Sequence, residues 1–189
     1  MKDHQIALFG TSADPPTIGH QAILAWLSQN YDHVGVWASD NPFKNHQTVL
    51  THRSQMLRLL VRDLNQVHSN LSFHKELSHL RSFITVQKAT QLWGDKVKFT
   101  LVIGSDLIEQ IFYWYRVEEL LNKVNLLIIA RPGYNINQKS LDLLSKLGAI
   151  YQVAKFNIPD VSSSGYRQEK NPNFLPNSIA KYIEKYQLY

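Results

Sequence analysis

Two runs of almost uninterrupted apolar residues constrain the fold of this chain most: Phe99-Thr100-Leu101-Val102-Ile103 and Leu126-Leu127-Ile128-Ile129-Ala130. A strand with one wet face alternates apolar and polar residues. A strand covered on both faces does not, and such strands belong to parallel sheets lined by helices. Between the strand-like runs the spacing turns helical. Met56, Leu57, Leu60, Val61 and Leu64 place one apolar face on residues 51–64. Further strands are expected at 5–9, 33–39, 71–77 and 149–156. Further helices are expected at 21–27, 85–93, 140–147 and 178–186, with two short ones within 107–121.

This alternation predicts an α/β fold: a Rossmann-like, doubly wound, mainly parallel sheet with helices on both faces. No repeat, low-complexity tract or linker divides the 189 residues, so a single domain over 1–189 is expected. The chain has no cysteine, which excludes disulfides and thiolate metal sites. Met1-Lys2-Asp3-His4 runs straight into the first strand without a signal-peptide pattern, and no apolar run approaches the ~20 residues of a membrane helix. A cytoplasmic location is the expectation. The net charge of +5 favours anionic partners. Its basic residues are dispersed rather than massed in an arm or stripe, so small polyanions satisfy it as well as nucleic acid does.

The chemistry begins at Leu8-Phe9-Gly10-Thr11-Ser12-Ala13-Asp14-Pro15-Pro16-Thr17-Ile18-Gly19-His20. A strand, a polar turn and a helix in succession present backbone N–H groups to a phosphate. The pattern is neither G-x-G-x-x-G nor the G-x-x-x-x-G-K-(S/T) of P-loop enzymes. Thr17 can cap the helix, Gly19 permits close approach of a ligand, and His20 falls in the first turn beside both.

Three more clusters follow strand-like runs. Ser39-Asp40-Asn41-Pro42-Phe43-Lys44 is followed by Arg53 at the start of a helix, and its bland reading is a turn with a solvated lysine. Gly104-Ser105-Asp106 puts a carboxylate where ribose hydroxyls could be held, or where it merely caps a helix. Val161-Ser162-Ser163-Ser164-Gly165-Tyr166-Arg167 combines hydroxyls with a guanidinium, a phosphate-binding set or a plain serine loop.

In this order the four clusters resemble the nucleotidyltransferase superfamily that carries an (H/T)-x-G-H motif and an I-S-S-T-x-x-R motif. Within it the chain is most similar to the bacterial nicotinate mononucleotide adenylyltransferases. Trp114-Tyr115, Ile129-Ala130-Arg131-Pro132-Gly133-Tyr134 and the ending from Leu175-Pro176 to Tyr189 extend the resemblance over nearly the whole chain. The first motif departs from the family's G-G-T-F-D-P-x-H-x-G-H. Thr11 stands for its second glycine, Ala13 for its phenylalanine and Thr17 for its first histidine. Val161 and Ser164 replace isoleucine and threonine in the second motif, and Phe83-Ile84-Thr85 stands where S-Y-T is usual.

The resemblance implies an enzyme that joins ATP and nicotinate mononucleotide into deamido-NAD and pyrophosphate, in NAD biosynthesis. It implies His20, Thr17, Lys44 and Arg167 as catalytic residues. For ATP it implies Gly10, Ser12, Gly19, His20, Gly104, Asp106, Ser162, Ser163, Ser164 and Arg167. For the mononucleotide it implies Lys44, Thr85, Trp114 and Arg131, with Trp114 stacking on the pyridine ring. Mg²⁺ is expected with ATP, held by substrate and water rather than by protein side chains. The expected partners are ATP and the pyridine mononucleotide, with neither nucleic acid nor membrane, and a homo-oligomer is compatible with the sequence. The competing expectations are nicotinamide mononucleotide as preferred substrate, phosphopantetheine adenylyltransfer (whose enzymes share the T-x-G-H form), and a non-catalytic nucleotide- or RNA-binding protein.

Overall fold

A computed structural model describes residues 4–40, 47–131 and 133–189. In chain order the principal elements are β1 (Gln5–Thr11), α1 (Ile18–Asn30), β2 (His33–Ala38), α2 (Leu50–Leu64), β3 (Leu71–Phe73), α3 (Ser82–Trp93) and β4 (Lys98–Gly104). They continue with α4 (Val117–Leu121), β5 (Val124–Ile129), α5 (Gln138–Lys146), β6 (Tyr151–Val153), α6 (Ser163–Glu169) and α7 (Asn177–Tyr186). The strands join in the hydrogen-bonded order β3-β2-β1-β4-β5-β6. The order steps outward from β1 one way and from β4 the other. This is the Rossmann-like, doubly wound α/β arrangement that the sequence predicts.

Two compact units divide the chain: Met1–Phe9 with Arg81–Asn157, and Gly10–Leu80 with Ile158–Tyr189. In the first unit β4 pairs in parallel with β1 and with β5, and β5 pairs in parallel with β6. Consecutive residues are buried along these strands, as the apolar runs require. Ile6 to Phe9, Leu101 to Ile103 and Leu126 to Ile129 are each at most 6% exposed.

In the second unit β2 and β3 pair in parallel. The buried face of α2 carries Met56, Leu57, Leu60, Val61 and Leu64 together with Arg53. Helix α7, which buries Ile179 and Ile183, lies against α2, and His52 Nδ1 is 2.9 Å from the Tyr182 hydroxyl.

Some boundaries differ from the sequence expectation. The strands expected at 71–77 and 149–156 are only three residues long, and Lys75–Leu77 forms a 3₁₀ turn. Both occupy sheet edges, where one neighbour supplies all the pairing, and the ladders end at Phe73 and Val153 although β2 and β5 run on. Between 105 and 121 the chain makes two 3₁₀ turns, Ser105–Leu107 and Ile111–Tyr113, before α4.

Candidate active site

Within the second unit the first motif is built around His20. Thr17 is the N-cap of α1 with extended backbone, and His20 occupies the third helical position. A capping box results, with histidine in place of the usual glutamate. The Thr17 N–H donates to His20 Nδ1 at 3.1 Å, and Thr17 Oγ1 lies 3.0 Å from the same nitrogen. A backbone N–H can only donate, so Nδ1 carries the lone pair and the neutral ring bears its proton on Nε2. Nε2 in turn lies 3.0 Å from Thr11 Oγ1. The ring is 6% exposed.

The turn that precedes α1 is held by charged groups drawn from distant segments. Arg53, 1% exposed, donates from Nη1 to the carbonyls of Ser12 (2.9 Å) and Ser39 (2.8 Å), and from Nε to that of Thr48 (3.0 Å). Its Nη2 is 3.6 Å from Asp40. Burial pushes this guanidinium below its ordinary pKa, while the charges of Asp14 and Asp40 oppose the shift. Asp14, 3% exposed, accepts from the Gln47 N–H and from the Tyr189 hydroxyl.

The serine motif reaches the same turn. Ser162 caps α6 by accepting from the Gly165 N–H at 2.9 Å. Ser163 donates to the Pro15 carbonyl at 2.8 Å. Arg167 donates to the Asp14 carbonyl at 2.5 Å and to Ser164 Oγ at 3.2 Å. A Cβ on Gly19 would lie 3.2 Å from the Val161 carbonyl oxygen, so glycine lets α1 start against the serine segment. At Gly10 a Cβ would overlap the indole of Trp37. The structure thus supplies a packing reason for each of these two glycines.

Within the first unit the third cluster is equally tight. Arg131 Nη1 pairs with Asp106 Oδ2 at 2.9 Å. Ser105 Oγ accepts from the Arg131 N–H at 3.0 Å and donates to the Tyr134 carbonyl at 3.2 Å. The Tyr134 N–H returns to the Arg131 carbonyl, closing a turn in which Gly133 takes φ +80°. A Cβ on Gly104 would run into the Asp106 carboxylate and the Arg131 side chain. Thr85 is buried near the start of α3. Trp114 follows the 111–113 turn and is half-buried. Beside it Arg81 lies over the Tyr115 ring at 4.3 Å, and Arg116 over Phe83 at 4.4 Å.

In one unit, then, the structure brings Thr17 to His20, Arg167 to Ser164, and the serine motif to the first motif. In the other it brings Gly104, Asp106 and Arg131 together. Lys44 lies outside the described residues. Sequence reasoning placed Thr11 and Asp14 in the first cluster, Arg53 beside the second and Ser105 in the third without assigning them any contact, and it set Tyr189 in the ending, apart from all four clusters. The one available signal was at Thr11, which departs from the family's glycine.

Residues 8–169 match the model of the cytidylyltransferase-like family. The chain belongs to that family. A Synechocystis protein named probable nicotinate-nucleotide adenylyltransferase is 47% identical, with 98% of each chain covered. The nicotinate-nucleotide adenylyltransferase of Bacillus subtilis is 28% identical, again over 98% of both. Among solved structures, the Plasmodium falciparum nicotinic acid mononucleotide adenylyltransferase complexed with NaAD superposes with a TM-score of 0.79. It covers 98% of this chain and 97% of its own at 24% identity, a likeness of fold. The matched range includes the first motif, with His20 in the first turn of α1 and Thr17 at its cap.

Proposed function

We propose that this chain transfers the adenylyl group of ATP to nicotinate mononucleotide, giving deamido-NAD and pyrophosphate in NAD biosynthesis. It does so as one nucleotidyltransferase domain over residues 1–189, in the cytoplasm. The observation that carries the reading is His20: a buried, neutral imidazole at a helix N-terminus, with its proton on Nε2 and its other nitrogen bound by the cap. Such a group donates a hydrogen bond to charge that grows on a phosphate without having to lose a proton. The end-to-end similarity to proteins named as nicotinate-nucleotide adenylyltransferases supports the choice of substrate.

A phosphate oxygen of the mononucleotide attacks the α-phosphorus of ATP, the new P–O–P bond forms, and the bond to the β-phosphate breaks with release of pyrophosphate. The nucleophile belongs to the substrate, so positioning and charge stabilisation are the protein's work. His20 donates to the α-phosphate and Thr17 fixes its ring. Ser162, Ser163, Ser164 and Arg167 serve the β- and γ-phosphates. Asp106 takes the ATP ribose, and Gly10, Ser12, Gly19 and Gly104 shape the nucleotide contacts. Lys44 and Arg131 serve the mononucleotide, Trp114 stacks on its ring and Thr85 reads the ring's substituent.

ATP enters as its Mg²⁺ complex. The ion would be held by phosphate oxygens and water and would neutralise phosphate charge there.

The test is pyrophosphate release with ATP and a panel of nicotinate mononucleotide, nicotinamide mononucleotide and phosphopantetheine. The expected result is the highest kcat/KM with nicotinate mononucleotide. Preference for nicotinamide mononucleotide would make NAD the direct product, and preference for phosphopantetheine would overturn the assignment.

A further inference from the structure

The ring of His20 is held at both nitrogens, and the second holder is a residue that the family's motif does not supply. We propose that Thr11 is a positioning residue for adenylyl transfer: its hydroxyl takes the Nε2–H of His20 and sets the line along which that proton is presented. The inference rests on the nucleotidyltransferase reading of the same site.

The Thr17 N–H fixes the lone pair on Nδ1, so the ring proton is on Nε2 and Thr11 Oγ1, at 3.0 Å, is its acceptor. The contacts at Nδ1, both from Thr17, restrain one edge of the imidazole. A further bond on the opposite edge fixes its plane. The mount is rigid. Thr11 is the last residue of β1, its carbonyl accepts from the Ser39 N–H at 2.8 Å, and a β-branched side chain has few χ1 choices. Glycine at position 11 offers no acceptor at all. An anionic phosphate oxygen accepts more strongly than a hydroxyl. On arrival it takes a share of a proton already pointed, with no reorganisation of the ring.

The experiment compares Thr11→Val, which keeps the branched shape without the hydroxyl, with Thr11→Ser, which keeps the hydroxyl. Thr11→Val should lower kcat about tenfold while changing the KM for ATP less than about twofold, the signature of one neutral hydrogen bond realised in the transition state. Thr11→Ser should recover most of that loss. In a His20→Ala background Thr11→Val should cost nothing further, because the threonine acts through the histidine. Unchanged kcat in Thr11→Val, no rescue by serine, or an additive loss in the double variant would each overturn the proposal. So would a rise in kcat/KM, which would make the hydroxyl a competitor of the phosphate.

Imidazole-detected ¹⁵N NMR of the free protein supplies a readout that needs no turnover. The Nε2–H of His20 should be present in the parent chain and exchange with solvent roughly tenfold faster in Thr11→Val, for the same loss of one hydrogen bond. An unchanged exchange rate would overturn the proposal. A parent chain that transfers adenylyl to no mononucleotide would refute the reading of function, and the NMR result would still decide the tie between Thr11 and His20.

Discussion

The Tyr189 hydroxyl donates a 2.6 Å hydrogen bond to the carboxylate of Asp14, across 175 residues of sequence. Asp14 sits in the turn that leads to His20, and its carbonyl is where Arg167 is bound. Asp14 thus ties Tyr189 to the first motif through its carboxylate and the serine motif through its main-chain carbonyl. Tyr189→Phe should cost about 1–3 kcal/mol, the range for losing a hydrogen bond to a buried charged group. Urea denaturation at neutral pH checks it.

The same phenol predicts an alkaline limb. Burial, and then the bond to Asp14, hold Tyr189 well above the ordinary tyrosine pKa of 10.0. The unfolded phenol ionises first, so its contribution is intact below pH 10 and is lost as the pH climbs toward the folded pKa. Denaturation midpoints should fall from about pH 10 upward, and less steeply in Tyr189→Phe. An equally steep fall in both proteins would remove Tyr189 as the cause.

Arg53 binds three carbonyls that belong to different segments, those of Ser12, Ser39 and Thr48. Arg53→Met keeps the volume but strands those acceptors, and should destabilise by about 2–4 kcal/mol. Arg53→Lys should recover only part of this, since one ammonium cannot reproduce a planar fork. Thermal and urea unfolding of the two variants give the ranking directly.

These two residues also show what was and was not legible. His20 and Thr17 could be read from the sequence because a capping box is a contact three residues long. The strands β4 and β5 could be read because burial on both faces leaves a continuous apolar run. Arg53 meets Ser12 across 41 residues and Tyr189 meets Asp14 across 175, and no local pattern encodes such pairings. The edge strands β3 and β6 are shorter than their apolar runs suggest, because β-propensity reports a fit to a half-buried surface and not where pairing stops. Gly10 reads as a place for close approach, and the Trp37 indole beside it adds a packing reason that no local pattern shows.

Gly104→Ala tests the Asp106–Arg131 pair without deleting either charge. A Cβ there would displace the carboxylate, whose side chain is 11% exposed. If Asp106 holds the ATP ribose, the KM for ATP should rise about tenfold, the cost of one misplaced charged hydrogen bond. The KM for the mononucleotide should move much less. Initial-rate kinetics with each substrate varied separates the two.

Trp114 is half-buried and stands outside the core, so its removal should be tolerated by the fold. Trp114→Ala should lower stability by less than about 1 kcal/mol. It should raise the KM for the mononucleotide by about fivefold to tenfold, since aromatic stacking is worth roughly 1–1.5 kcal/mol. Equal KM values in a stable variant would assign the stacking surface elsewhere.

His20 has one job that the structure shows and one that we propose, and one variant separates them. As the reciprocal half of the α1 capping box, it should cost about 1 kcal/mol of stability when changed to alanine. As the donor to the α-phosphate it should cost far more in rate, about 10²–10³ in kcat, the usual loss for one preorganised donor to developing charge. A protein short of 1 kcal/mol remains almost wholly folded at room temperature, so the cap alone cannot produce that drop. His20→Ala should therefore melt only a few degrees lower yet release pyrophosphate at least about a hundredfold more slowly, with both KM values within about threefold of the parent. A kcat that falls no further than the folded fraction would leave His20 a helix cap and nothing more.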